Sequence, residues 1–424
     1  MKHKRNSQSL RPESQMMTAG FFAPWSQGSA SCPIFATSNY VFETAEQGEN
    51  AFALAYGLRT PKGTEKPELI YGRINEPNLQ IAEERLTIFE KGAKDCAIFS
   101  SGLSALTTAF LEFLKPGDIL LSSTPLYGGT DHFLTKILPS SGVKVIFCDA
   151  SDTRQKITEL INNEIKDGGK LAMIFIETPA NPTNSLFNIR MFRELADRFS
   201  DTTKKVLLAV DNTYLGPIWQ SPIEHGADLV HYSATKYIGG HSDLIAGACL
   251  GSRELIQRMK IRRTFMGNMS DPFTCWLLLR SLETLQVRMD RQACNATKIA
   301  KYLNQHPLIE KVYFLGNLSE KDNAQYFIKN TQCVGDGAMI AFDVKGGKKA
   351  SFQFLNALKL AKLAVSLGST GSLAEHPYTM THADVDPEVK NKLGITESMV
   401  RYSVGVENYR DLIADMEQAF KAIK

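Results

Sequence analysis

Short apolar runs alternate with helical patterns over most of this chain, and the alternation begins near residue 76. The runs Asp95–Ser100, Ile119–Ser123, Val143–Cys148, Leu171–Glu177, Lys205–Val210, Asp228–Tyr232 and Ile245–Leu250 read as strands. Several are apolar at successive positions, the pattern of parallel strands covered by helices on both faces. Between them, Leu79, Ala82, Leu86 and Phe89 recur at helical spacing and stop near Gly92; Asn78, just before them, suits an N-cap. Leu106, Ala109, Phe110 and Phe113 mark a second helix. Strand and helix in alternation predict an α/β class with an open, mostly parallel sheet covered by helices.

The rhythm changes at both ends. Near residue 288 a helical stretch (Arg291 to Tyr302) leads into strands at Lys311–Leu315, Ala338–Val344 and Val400–Val406, with helices at Phe352–Leu363 and Tyr409–Ala422. This looser order predicts a smaller α+β C-terminal domain. Residues 1 to about 35 are polar, with Pro, Gly and the isolated aromatics Phe21, Phe22 and Trp25. They predict an extended arm whose aromatics need a second surface, such as another subunit. Leu58 to Lys66 reads as a polar loop. The expected division is an arm over 1–75, an α/β domain over 76–287 and an α+β domain over 288–424.

Composition narrows the partners. A formal charge of +3 over 424 residues gives no reason to expect nucleic acid or an anionic membrane. The basic cluster Lys2-His3-Lys4-Arg5 runs into Asn6-Ser7-Gln8-Ser9 with no apolar segment behind it, unlike a signal peptide. No stretch approaches the ~20 apolar residues of a membrane span. The seven cysteines are scattered without a C-x-x-C, against a disulfide framework or a zinc site. The histidines lack ligand spacing, so no metal is expected. Together these point to the cytoplasm.

Three segments carry chemistry. Ser233-Ala234-Thr235-Lys236-Tyr237-Ile238-Gly239-Gly240-His241 follows a strand. A lysine there is either a solvated loop residue or a buried amine of lowered pKa, suited to Schiff-base formation. Ser233 and Thr235 beside it can donate to a phosphate. A second strand ends in Asp211-Asn212-Thr213-Tyr214, where Asp211 either caps a turn or points into the crevice at the strand ends. In Ser100-Ser101-Gly102-Leu103-Ser104-Ala105, Gly102 permits close approach and the helix start offers free N–H groups, as a plain cap also would. An anchoring amine, a ring acid and a phosphate cradle at three strand ends are what pyridoxal 5′-phosphate requires. Around them, Tyr127 in Pro125–Thr130 either stacks on a flat ring or anchors a turn. Asn181, in Glu177-Thr178-Pro179-Ala180-Asn181-Pro182, reaches a ring hydroxyl or forms an Asx turn. Arg401, alone in an apolar strand, grips a planar carboxylate or makes an internal salt bridge.

Read together, these residues resemble the Cys/Met-metabolism family of pyridoxal-phosphate enzymes: cystathionine γ-synthases, cystathionine lyases, methionine γ-lyases and O-acylhomoserine sulfhydrylases. The resemblance runs from about residue 70 to the C-terminus. It includes Ser366-Leu367-Gly368, His376-Pro377, Met380-Thr381-His382 and Arg401–Glu407. It implies an aspartate-aminotransferase-like fold (fold type I). Lys236 would hold the cofactor and move protons, and Asp211 would pair with the pyridine nitrogen. Ser101, Gly102, Leu103, Ser233 and Thr235 would surround the phosphate, with Tyr127 on the ring. Arg401, with Ser366, would hold the carboxylate of a small amino-acid substrate. Tyr71 and Arg73 look like the family's Tyr-x-Arg, which reaches a neighbouring subunit's phosphate site. That implies a homodimer with shared sites, and usually a homotetramer. The implied reaction is γ-elimination or γ-replacement on sulfur amino acids or O-acylhomoserine, with cystathionine β-lyase or O-acylhomoserine sulfhydrylase activity, aminotransfer, or non-catalytic cofactor binding as alternatives. The chain departs from the family at Ile74-Asn75-Glu76-Pro77-Asn78, at Gly129 and at Gly371. Asn78 would serve as the cap in the first, and the two glycines would remove bulk beside the substrate's tail.

Overall fold

Seven strands appear where apolar runs were expected: β1 Asp95–Phe99, β2 Asp118–Thr124, β3 Lys144–Asp149, β4 Lys170–Glu177, β5 Leu207–Asp211, β6 Leu229–Ser233 and β7 Gly247–Gly251. A computed structural model describes residues 10–63, 65, 68–166, 168–202 and 204–424. The basic cluster at Lys2–Arg5, and residues 64 and 66 of the expected polar loop, lie outside the described residues. The strands form one sheet in the order β1-β7-β6-β5-β4-β2-β3. All neighbours are parallel except β7, which runs antiparallel to both β1 and β6.

Why the runs are apolar at successive positions is visible in the packing. Leu121, Ile174, Ile176, Leu208 and Val210 join one hydrophobic cluster. Their chain neighbours Leu120, Met173, Phe175, Leu207 and Ala209 join another. Alternate residues thus leave opposite faces, and both faces are covered. A second sheet of five strands (β8 Ile309–Tyr313, β9 Met339–Val344, β10 Lys362–Leu363, β11 Leu373–Glu375, β12 Met399–Ser403) takes the order β10-β11-β12-β9-β8. The expected helix Phe352–Leu363 is instead Gly347–Ala357, and Lys362–Leu363 becomes β10.

Helix α1 (Ala45–Ala55) was not anticipated, although Thr44-x-x-Gln47 is a capping-box spacing. Thr44 caps it by accepting from the Gln47 N–H at 3.1 Å. Helix α2 (Pro77–Phe89) starts two residues earlier than expected, and its cap is Glu76, not Asn78. Proline fits the first helical position, which leaves the preceding residue as the cap. The Glu76 carboxylate accepts from the Asn78 and Leu79 N–H groups. Asn78 ties down the arm instead: its side chain accepts from Phe35 N–H and donates to the Pro33 carbonyl, both at 2.8 Å. The arm is not simply extended. Met16 is fully buried and Phe21 packs on the core, while Trp25 remains 84% exposed. Helix α3 (Gly102–Phe113) buries the four apolar residues that predicted it. Further on come α4 (Arg253–Met266) and α5 (Leu285–Leu303); the expected division at 287/288 falls inside α5. Among the described residues, no helix is long and apolar enough to cross a membrane.

One buried ion pair braces the floor of the sheet. Glu83 of α2 meets Arg263 of α4 at 2.6 Å, and both side chains are nearly inaccessible. Glu83 also accepts from the Ile98 N–H at 3.0 Å, and Arg263 donates to the Ile98 carbonyl at 2.6 Å. Both backbone groups of a β1 residue are thereby pinned, just before the Ser100–Gly102 turn. Removing one partner of such a pair strands the other charge in the interior. Glu83→Ala is therefore expected to lower unfolding free energy by about 3–5 kcal/mol, read as an earlier midpoint in urea denaturation.

Candidate active site

Parallel strands deliver their carboxyl ends to one rim, and ligands of open α/β sheets bind there. The rim here carries Glu177 at the end of β4, Asp211 at the end of β5 and Ser233 at the end of β6. These residues line a cavity of about 260 Å³, together with Ser101, Gly102, Leu103, Tyr127, Asn181, Thr235 and Lys236. Of the residues expected at the site, Arg401 and Ser366 do not line the cavity but bond to residues that do. Tyr71 and Arg73 stand elsewhere: Arg73 donates to the Thr264 carbonyl at 2.8 Å and lies over the Tyr71 ring.

The Ser101–Gly102 turn packs hard against the sheet. A Cβ on Gly102 would stand 2.8 Å from that of Ser233, and one on Gly247 would collide with the Ser101 carbonyl. Ser101 caps α3 by accepting from the Ser104 N–H at 3.1 Å. The N–H groups of Gly102 and Leu103, in the first turn, have no carbonyl within the helix to meet. They share the cavity with the Ser233 hydroxyl, a donor set that suits a phosphate. Thr235 is less free than expected, because its hydroxyl donates to the Ala246 carbonyl at 3.2 Å and accepts from that residue's N–H at 3.0 Å.

Lys236 is largely withdrawn from water, and its amine titrates near 8. Burial lowers it most, the Arg401 charge lowers it further, and Glu375 opposes both. The amine donates to Ser366 Oγ at 2.8 Å. Ser366 sits at φ 88°, a left-handed conformation that costs a non-glycine residue about 1–3 kcal/mol. In return one residue meets both cations, since its carbonyl accepts from Arg401 Nη2 at 2.8 Å.

Asp211 is buried, and burial raises its pKa against the bonds from Thr213, whose N–H donates to Oδ1 at 2.9 Å. Glu177 stands beside it in strand register. No motif marks Glu177 in the sequence, although it ends its strand as Asp211 does. Burial and the neighbouring Asp211 push Glu177 up to about 8. Its carboxyl oxygens accept from the Tyr127 N–H at 2.8 Å and the Asn181 N–H at 3.2 Å, fixing two cavity residues at once. The Tyr127 side chain is about half exposed at 49%. A Cβ on Gly129 would stand 2.8 Å from the Tyr127 ring, so that glycine gives room to the ring. Gly371 faces open space and does not line the cavity.

Asn181 Oδ1 accepts from the Tyr214 hydroxyl at 2.9 Å and from Arg401 Nη1 at 3.1 Å. Arg401 also makes the internal salt bridge that was the alternative to carboxylate binding, to Glu375 at 2.8 Å. A buried amine, a strand-end acid and an N–H and hydroxyl cradle in one cavity fit a flat phosphorylated aldehyde.

The family described as Cys/Met metabolism PLP-dependent enzyme matches residues 13–421. An L-methionine gamma-lyase of Porphyromonas gingivalis is 39% identical over 398 residues, 93% of this chain and 94% of that protein. A cystathionine gamma-lyase of Rattus norvegicus is 35% identical over 385 residues, 90% and 93% of the two chains. The crystal structure of a cystathionine gamma synthase from Xanthomonas oryzae pv. oryzae, in complex with aminoacrylate and cysteine, superposes with a TM-score of 0.86. It is 30% identical and covers 97% of this chain and 98% of its own. The architecture is that of fold type I and the match is nearly end to end: this chain is an enzyme of the Cys/Met-metabolism family, and its cofactor is pyridoxal phosphate.

Proposed function

We propose that this enzyme acts at Cγ of sulfur amino acids or O-acylhomoserine, by elimination or by replacement with a thiol. The observation that carries this reading is the Lys236 amine, held by the single hydroxyl of Ser366 on a flexible four-carbon stem. Chemistry at Cγ needs protons removed from Cα and then from Cβ, so one base must move between them. A lysine flanked by Ala234, Gly239 and Gly240 has room to do so. Relatives that carry a gamma-lyase or gamma synthase name support the same reading.

The roles follow from position. Arg401 orients the substrate by its carboxylate, bringing Cα toward Lys236. Lys236, in its neutral form, would take the Cα proton. Asp211, lining the same cavity, would pair with the ring nitrogen and hold it protonated. The bound cofactor supplies the electron sink. Tyr127 covers the ring and protonates the departing group. Ser101, Gly102, Leu103, Ser233 and Thr235 would hold the phosphate, and Asn181 would meet the ring hydroxyl. Tyr71 and Arg73, which lie outside this chain's own cavity, complete the phosphate site of a second subunit. We therefore propose a homodimer with shared sites, paired into a homotetramer. The seven cysteines are all free, in keeping with a cytoplasmic enzyme.

The basicity of Lys236 can be read directly. Only the neutral amine attacks the cofactor's aldehyde, and a pKa near 8 leaves a useful neutral fraction at neutral pH. Cofactor-free protein should take up pyridoxal phosphate at a rate that rises about tenfold per pH unit below 8 and levels above it, whereas an unshifted lysine would keep gaining to about 10.4. Stopped-flow absorbance checks this.

Shared sites predict complementation. Arg73→Ala and Lys236→Ala should each be nearly inactive, and unfolding and co-refolding them together should restore activity in mixed dimers. Verified mixed dimers without recovery would exclude sharing.

Position of cleavage is settled by products. 2-Oxobutanoate or a γ-replacement product should dominate from O-acylhomoserine, cystathionine, methionine or homocysteine. Pyruvate from β-substituted substrates as the main product would refute cleavage at Cγ and leave the cofactor site intact.

A further inference from the structure

Arg401 is a buried guanidinium whose plane is set before any substrate arrives. Its Nη1 meets Glu375 Oε1 at 2.8 Å and Asn181 Oδ1 at 3.1 Å, and its Nη2 meets the Ser366 carbonyl at 2.8 Å. Asn181 and Ser366 come from loops. Glu375 alone comes from a neighbouring strand: β11 and β12 run antiparallel with Glu375 directly opposite Arg401. Opposed residues of an antiparallel pair have their side chains side by side. The contact is thus built into the register of the sheet.

Glu375 is itself held. The Thr381 hydroxyl donates to the same Oε1 at 2.9 Å. The Thr381 carbonyl lies against Gly128, where a Cβ would stand 2.8 Å away, so this segment also backs the turn that carries Tyr127. The second oxygen, Oε2, is buried without a hydrogen-bond partner. Leaving a buried acceptor unsatisfied is costly, and an apolar residue of similar shape would avoid the cost. A strand core that keeps a carboxylate under those terms is using its other oxygen.

We propose that Glu375 is the positioning residue for substrate recognition: it fixes the place and plane of the Arg401 guanidinium that receives an incoming carboxylate. The inference rests on the reading that Arg401 grips the substrate's carboxylate. It assigns the work to the reach of Oε1. The negative charge has a second effect, offsetting the pull of Arg401 on the Lys236 amine.

The test uses holoenzyme and two probes followed by the cofactor's visible absorbance. Glycine carries an amine and a carboxylate but no leaving group; ethylamine carries the amine alone. Glu375→Ala should raise the half-saturating glycine concentration about 10- to 50-fold and leave that of ethylamine within about threefold. Glu375→Gln, whose amide oxygen still accepts from Arg401 and Thr381, should return glycine to within about threefold of the parent. Glu375→Asp keeps the charge but falls a methylene short, and should resemble the alanine variant, which also serves if the alanine protein does not fold. Unchanged glycine binding in Glu375→Ala or Glu375→Asp overturns the proposal. So does an equal loss for glycine and ethylamine, or a glutamine variant as weak as alanine. Arg401→Lys separates the two layers: if it leaves glycine binding unmoved, the carboxylate reading of Arg401 itself fails.

Discussion

An amine taken out of water is the constraint to which the rest of the site answers. Lys236 can act as nucleophile and base only if it spends time uncharged, and burial supplies that. Burial beside Arg401 also puts a second cation within electrostatic reach. Two like charges in one dry cavity repel, and the structure answers with an acid at a fixed point. Glu375 is paired to Arg401 across the strands and is the acid that offsets it at Lys236. Ser366, in its left-handed conformation, is the neutral bridge between the two cations. The pairing of the second sheet makes this possible, because the antiparallel register of β11 and β12 sets Glu375 opposite Arg401.

The same economy separates the site from what holds it up. Glu83 and Arg263 sit beneath the rim and pin Ile98, one turn before the residues that would meet the phosphate. Their bonds go to backbone, so they fix a position without contributing a reacting group. Asn78 does the same for the arm and Glu177 for the Tyr127 turn.

Strand positions were legible because each strand is covered on both faces, which forces an unbroken apolar run into the sequence. Asp211, Lys236 and the Ser101–Gly102 turn were legible because each interrupts such a run at its end. What stayed hidden depended on register or on a neighbour. The partner of Arg401 is fixed by how β11 pairs with β12, which no local pattern records. The cap of α2 went to Glu76 because Pro77 takes the first helical position, a local rule that outranked the better intrinsic cap at Asn78. Helix α1 was lost among polar residues, with only Thr44 and Gln47 to mark its start. Tyr71 and Arg73 stand outside the cavity of their own chain, so their expected role lies in a relation between chains.

The antiparallel strand β7 imposes an order on biosynthesis. β1 is made early, yet among the described residues it pairs with β7 alone, which sits between it and the rest of the sheet. A ribosome adding about 5–20 residues per second must therefore extend the chain for about 7–30 s before that edge is closed. The Ser101–Gly102 turn stays open on one side for the same interval, because Ser233 meets Gly102 from β6 while Gly247 of β7 packs on the Ser101 carbonyl. During synthesis the phosphate cradle is among the last features of the large sheet to close, so a nascent chain can settle its β2–β6 core well before it can recognise its cofactor.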